Sequence, residues 1–136
     1  MADCRKFSLQ RLLKSFTFAG KGVLWIWLSE PNFRVHCVAL ALATIFGFAL
    51  KISLPEWIAV VICSGMVLGA EAVNSAIEVL ADATHPEPDP LVGQAKDAAA
   101  GAVLLVAVAA FAVGAIIFLP KLWQLISTAI QSGSPT

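Results

Sequence analysis

Charge is scarce in this chain. Only 13% of its 136 residues are Asp, Glu, Lys or Arg, while 59% are hydrophobic. A soluble globular domain carries about 25% charged and about 45–50% apolar residues. With a mean hydropathy of +0.84, the deficit excludes an ordinary soluble domain and points to one small integral membrane unit. Cysteine is scarce too. Cys4, Cys37 and Cys63 are scattered with no metal-type spacing, so they read as small buried hydrophobes rather than zinc ligands. There is no Walker A loop and no G-x-G-x-x-G, which excludes the phosphate-binding loops of soluble kinases. A formal net charge of zero gives no reason to expect a nucleic acid partner. No cleavable signal peptide is expected, because the first long apolar run starts only near Val35, behind a polar and basic stretch.

The few charges are sorted along the chain. Six of the nine basic residues (Arg5, Lys6, Arg11, Lys14, Lys21, Arg34) lie in the first 34 positions, and five of the nine acidic ones (Glu71, Glu78, Asp82, Glu87, Asp89) lie between 71 and 89. Over about residues 8–28, Leu9, Leu12, Leu13, Phe16, Val23, Leu24 and Trp27 recur at helical spacing, with Gln10, Lys14, Thr17 and Lys21 on the other side. This pattern suits an amphipathic helix lying in the membrane interface. "SEPNF" (29–33) breaks it, with Asn32 available as a cap. Three apolar segments follow. A first span is expected over 34–53 and a second over 56–83, the latter long enough to emerge from about 30 Å of hydrocarbon. A third is expected over 96–119, closed by Pro120-Lys121, with a disordered tail over 129–136. By the positive-inside rule the N-terminus, Glu30, the end of the second span and Lys96-Asp97 are cytoplasmic and the C-terminus is outside. Gly65-x-x-x-Gly69 and the Ala- and Gly-rich third span predict close helix contacts.

The second span changes character at "GAEAVNSAIEVLAD" (69–82). At 100° per residue, Glu71, Asn74, Ser75, Glu78 and Asp82 fall within about 100° of arc, forming one polar stripe. Polar groups at membrane depth are costly and usually mark function. For Asp82, and partly for Glu78, emergence into water explains the position. Glu71 is flanked by Gly69, Ala70, Ala72 and Val73, and emergence explains it poorly. Several carboxylates with an amide suit Mg²⁺, which takes carboxylate and phosphate oxygens. A carboxylate in a partly apolar site serves as a general base. Lys96 adds a cation for phosphate, and the set matches what phosphoryl transfer needs. A transport or ion-pathway subunit is the alternative, but its acidic residues belong nearer the bilayer midplane. His36 reads as a packed or interfacial side chain, and His85 as a loop residue.

"EAVNSAIEVLAD", then "AKDAAAGAVLL", with an upstream "EPNFR", resembles the small prokaryotic diacylglycerol kinase family, which includes undecaprenol kinases. The family pattern is roughly E-x-x-N-[ST]-A-[IV]-E-x-x-x-D followed by A-K-D, and each of those positions is filled here. "SFTFAGKG", "EPNFRVH" and "GAIIFLPK" look closer to the undecaprenol-kinase branch. The resemblance runs from about Arg11 to Lys121. It implies an all-α membrane protein with an N-terminal surface helix and three transmembrane helices, assembled as a homotrimer in the bacterial inner membrane. It further implies transfer of the γ-phosphate of Mg-ATP to a lipid alcohol. By match, Glu71 would be the general base and Asn74 would hold it. Glu30 and Glu78 would bind the divalent ion. Lys96 would contact the transferring phosphate, positioned by Asp97, and Asp82 would lie on the nucleotide side. Arg11, Lys14 and Lys21 match the basic surface helix. One stretch departs from the pattern. Family members usually carry Tyr or His before the A-K-D segment, where this chain reads "EPDPLVGQ", so an expected nucleotide contact is missing.

Overall fold

The computed structural model describes residues 8–132. Its helices are α1 (Leu9–Ser29), α2 (Pro31–Ala49), α3 (Leu54–Thr84) and α4 (Pro90–Ser132). The expected all-α plan of one amphipathic helix followed by three apolar ones is the observed plan, and α2, α3 and α4 are each long and apolar enough to cross a membrane. α1 keeps Arg11, Lys14 and Lys21 exposed. Its one buried residue is Ile26, and the helix touches both α2 and α3.

Local chemistry sets where each helix begins and ends. α2 starts three residues earlier than expected. Pro31 occupies its first turn with Glu30 as N-cap, a place where the missing proline N–H costs nothing. Asn32 therefore lies inside the helix and is not the cap. α2 ends in a Schellman arrangement. The Ile52 N–H donates to Gly47 O at 3.0 Å and the Lys51 N–H to Phe48 O at 3.3 Å, which satisfies carbonyls that the helix end would leave unpaired. The turn requires a left-handed residue, and Lys51 supplies it at φ 50°. Across it, the Ser53 N–H and hydroxyl both donate to Glu56 Oε2 at 2.6 and 2.7 Å, tying the start of α3 to its own first turn.

The core sits at this hairpin end. Ile52, Val60 and Ile117 are buried together, with Leu50, Trp57, Val113 and Phe118 packed around them. The Trp57 ring lies 4.8 Å from that of Phe48, centroid to centroid. It also occupies the space over Gly47, where a Cβ would come within 2.8 Å of Trp57 Cη2. Among the described glycines this is the one close approach. Gly65, Gly69, Gly101 and Gly114 have nothing within 4 Å of where a Cβ would stand. The close contacts expected from G-x-x-x-G and from the small residues of the third span are therefore not made at these glycines within the subunit.

α3 and α4 form the most extensive helix pair and run antiparallel. Glu56 Oε1 meets Lys121 Nζ at 3.3 Å at one end, and Asp82 Oδ1 meets Lys96 Nζ at 2.8 Å at the other. With 31 residues, α3 is about 46 Å long. It outruns about 30 Å of hydrocarbon, so its polar end emerges. α4 differs from the expected 96–119. It begins at Pro90, because Asp89 accepts the backbone N–H groups of Leu91 and Val92 at 2.7 and 3.1 Å and so caps the helix. Those two donors hold the Asp89 carboxyl below the usual carboxylate range. α4 then passes through Pro120 to Ser132, so Pro120 does not close it. A proline removes one backbone bond and favours a bend, and the turns on either side of Pro120 carry the helix on. The expected tail over 129–136 is thus helical over 129–132, and 133–136 lie outside the described residues, as does Cys4.

Candidate active site

The polar stripe on α3 is one face with graded exposure. Glu71 retains 3% of its surface, Asn74 9% and Ser75 1%. One turn further on Glu78 is half-buried, and a turn after that Asp82 is exposed. Helical periodicity puts the five on one side, and the thinning of neighbours toward the end of α3 grades them. Ser75 is held by its own helix, its hydroxyl donating to Glu71 O at 2.9 Å. The Glu71 carboxylate takes no side-chain hydrogen bond among the described residues, and Glu30, Glu78 and His36 lie within its electrostatic reach. Glu30, from the α1–α2 junction, and His36, from α2, thus interact with Glu71 across helices at electrostatic range, without a hydrogen bond to it among the described residues. His36 was read from sequence as a packed or interfacial side chain. Its signal lay in "EPNFRVH", where it follows Glu30 by six residues on the next helix.

Asn74 is the second fixed point. Its Nδ2 donates to Glu78 Oε1 at 2.7 Å, so the amide orients Glu78 rather than Glu71. Its Oδ1 is buried and, among the described side chains, is the one such polar atom without a hydrogen-bond partner. An unmet buried acceptor costs roughly 1–3 kcal/mol, and a ligand donor would relieve it. The Lys96–Asp82 pair lies beyond, linking α4 to α3 at 2.8 Å. Lys96 is therefore held by Asp82, fourteen residues away in sequence. Asp97 is exposed and makes no ion pair or side-chain hydrogen bond among the described residues. Arg11, Lys14 and Lys21 likewise form no ion pair among those residues.

Beside this stripe an apolar cavity of about 560 Å³ opens between α2, α3 and α4, running from His36 past Ser64 and Val67 to Leu122. His36 is the polar side chain at one end of its lining. An apolar slot with a polar side chain at one end suits an amphiphile whose reactive group is at one tip.

Residues 17–118 match the family model described as prokaryotic diacylglycerol kinase. The chain is 40% identical over 114 residues to the undecaprenol kinase of Bacillus subtilis, covering 84% of this chain and 93% of that one. It is 35% identical to the diacylglycerol kinase of Synechocystis, over 84% of this chain and 66% of that one. It is 31% identical to the diacylglycerol kinase of Escherichia coli K12, over 74% and 82% respectively. This chain belongs to the prokaryotic diacylglycerol kinase family. It is an integral membrane lipid kinase, with ATP as phosphate donor. The kinase carries the buried Glu71 and the half-buried Lys96 on two antiparallel helices, toward the same end of the bundle.

No group of three or more His, Cys, Asp or Glu side chains able to enclose a metal ion occurs among the described residues. Glu30 and Glu78 are two carboxylates within electrostatic reach of Glu71. That donor set fits Mg²⁺, which is commonly bound by one or two carboxylates plus substrate phosphates.

Proposed function

We propose that this kinase transfers the γ-phosphate of Mg-ATP to the hydroxyl of a membrane lipid alcohol, with undecaprenol ahead of diacylglycerol. The observation that carries the reading is the buried Glu71, one turn from the unmet Asn74 carbonyl and within electrostatic reach of His36, which lines an apolar cavity. The lipid's hydrocarbon follows the cavity and its hydroxyl reaches Glu71. Glu71 removes the hydroxyl proton as the lipid oxygen attacks the γ-phosphorus. The bond to the β-phosphate oxygen breaks, ADP leaves, and the proton passes to solvent. Asn74 orients Glu78 by its amide, and its free carbonyl accepts a hydrogen bond from substrate.

Glu30 and Glu78 would hold Mg²⁺ together with the phosphates, and the ion would supply charge neutralisation there. Lys96 exchanges its contact with Asp82 for the transferring phosphate. An exposed ion pair is worth about 0–1 kcal/mol, so little opposes that exchange. Asp82 and Asp97 remain on the nucleotide side, Asp97 next to Lys96. Arg11, Lys14 and Lys21 present α1 to phosphates and anionic headgroups.

Two features support a homotrimer. A single subunit buries few large side chains, and Gly65 and Gly69 are open to a close approach by another copy. The basic N-terminal segment supports a cytoplasmic active site in the bacterial inner membrane, with the C-terminus outside. The higher identity with the Bacillus undecaprenol kinase supports undecaprenol as the preferred acceptor.

The test offers undecaprenol and diacylglycerol side by side in mixed micelles with γ-labelled ATP, with Mg²⁺ and then with chelator. Label is expected in both lipids or in undecaprenol alone, and is expected to vanish on chelation. Label in neither lipid would overturn the kinase reading for these acceptors, and preference for diacylglycerol would overturn the order proposed.

A further inference from the structure

The last part of α4 is a second amphipathic segment. The Glu56–Lys121 pair places Lys121 level with the first turn of α3, so residues 122–132 extend past the end of the three-helix bundle by about 16 Å. From Ala98 to Leu119 the helix carries no charge and reads as apolar throughout. After Pro120 the pattern changes. Gln124, Ser127, Thr128 and Gln131 fall within about 100° of arc, and Leu122, Trp123, Ile126 and Ile130 take the other side. Trp123 is 72% exposed and Ile130 69%. Upstream, Ile116 and Leu119 lie in the same arc as Trp123, Ile126 and Ile130 and are also largely exposed. The apolar strip past the bundle therefore continues the surface that α4 turns to hydrocarbon.

We propose that residues 122–132 tilt at Pro120 and lie in the headgroup–acyl boundary of the leaflet opposite the candidate site. Trp123, Ile126 and Ile130 enter the hydrocarbon, while Gln124, Ser127, Thr128 and Gln131 face water. Pro120 supplies the joint, because it lacks an N–H for the Ile116 carbonyl and its ring crowds the preceding turn. Trp123 is an aromatic suited to this depth. An upright helix would leave the apolar strip in water. The polar side carries no charge, since no Asp, Glu, Lys or Arg follows Lys121. Attachment rests on apolar burial alone, unlike that of the basic α1, and does not depend on anionic lipid or low salt. Anchored at this end, α4 cannot slide along its axis, which fixes the depth of Lys96 at the other.

The test places a nitroxide at single positions in the full chain with Cys4, Cys37 and Cys63 replaced by Ala. The substitutions are Gln124→Cys, Ile126→Cys, Thr128→Cys, Ile130→Cys and Gln131→Cys. The protein is reconstituted into vesicles of phosphatidylethanolamine and phosphatidylglycerol, and collision with oxygen is compared with collision with a water-soluble nickel complex. Positions 126 and 130 are expected to favour oxygen and positions 124, 128 and 131 nickel, unchanged on raising salt. Nickel access at all five positions would overturn the proposal in favour of an upright helix in water. Spin–spin broadening at 126 and 130 would overturn it in favour of packing against a second copy.

Discussion

The two ends of the three-helix bundle are built on opposite principles. At the hairpin end the polar groups of the turn and the space over Gly47 are met within the subunit. The Schellman turn satisfies the end of α2, Glu56 is shared between Ser53 and Lys121, and Trp57 fills the space over Gly47. At the other end demands are left open. Among the described residues Glu71 is buried without a side-chain hydrogen bond and Asn74 Oδ1 has no partner, and Lys96 rests on an exposed carboxylate. Backbone and side-chain satisfaction makes for stability. Unmet groups at a membrane surface make for ligand binding, because a substrate supplies what the fold does not. Stability and, on the function proposed, chemistry thus fall at opposite ends, about 26 Å apart along α3 from Leu54 to Glu71, and substitutions at the two ends should separate them.

The largest effect is expected from Glu71→Gln. The amide keeps the size of the side chain and removes its basicity, so the site remains filled while proton removal is lost. General-base catalysis is worth about 10²–10⁴-fold, and phosphate transfer to the lipid should fall by that order. The thermal midpoint in detergent should stay close to that of the parent chain. A variant that keeps most of its turnover would remove Glu71 as the base. One that loses activity and midpoint together would show that the polar end also holds the fold, which breaks the contrast.

Gly47→Ala tests the opposite end. The new Cβ would stand 2.8 Å from Trp57 Cη2 and 2.9 Å from Cζ2, and the Trp57 ring is backed by Phe48, so it cannot retreat freely. Overpacking of this kind costs about 1–3 kcal/mol. The expected outcome is a lowered unfolding midpoint with unchanged turnover per folded molecule, measured by thermal unfolding alongside the lipid assay. Full activity at an unchanged midpoint would mean that the hairpin yields easily and is not the stable end.

Much of this contrast was legible in the sequence, and the remainder was not for identifiable reasons. Uncharged runs mark the spans because hydrocarbon admits little else, and the common face of Glu71, Asn74, Ser75, Glu78 and Asp82 follows from spacing alone. Gly65-x-x-x-Gly69 reads as a contact without naming the helix it meets; within the subunit the close approach is instead at Gly47, where the partner Trp57 comes from across a turn that periodicity does not describe. The bond from Lys96 to Asp82 is likewise tertiary, depending on how two antiparallel helices align. The early start of α4 was written in Asp89-Pro90, an N-cap followed by a first-turn proline, yet a segment with three prolines reads first as a loop. Pro120 reads as a stop, although flanking helical turns can carry a helix through a proline.

Lys51 should give the smallest effect and the finest test of the hairpin end. It holds φ 50°, a left-handed conformation that costs a residue with a Cβ about 1–2 kcal/mol, at the position of a Schellman turn where glycine is favoured. Lys51→Gly removes that steric cost and adds some freedom to the unfolded chain, so a net stabilisation of about 0.5–1 kcal/mol is expected. It should appear as a modest rise in the unfolding midpoint with turnover unchanged, since the substitution lies at the end remote from Glu71. A fall in the midpoint would mean that the Lys51 ammonium contributes more to the hairpin, through headgroup contacts, than its backbone costs. The stable end would then depend partly on the bilayer, and the contrast with the open end would rest on Gly47, Trp57 and the Glu56 contacts alone.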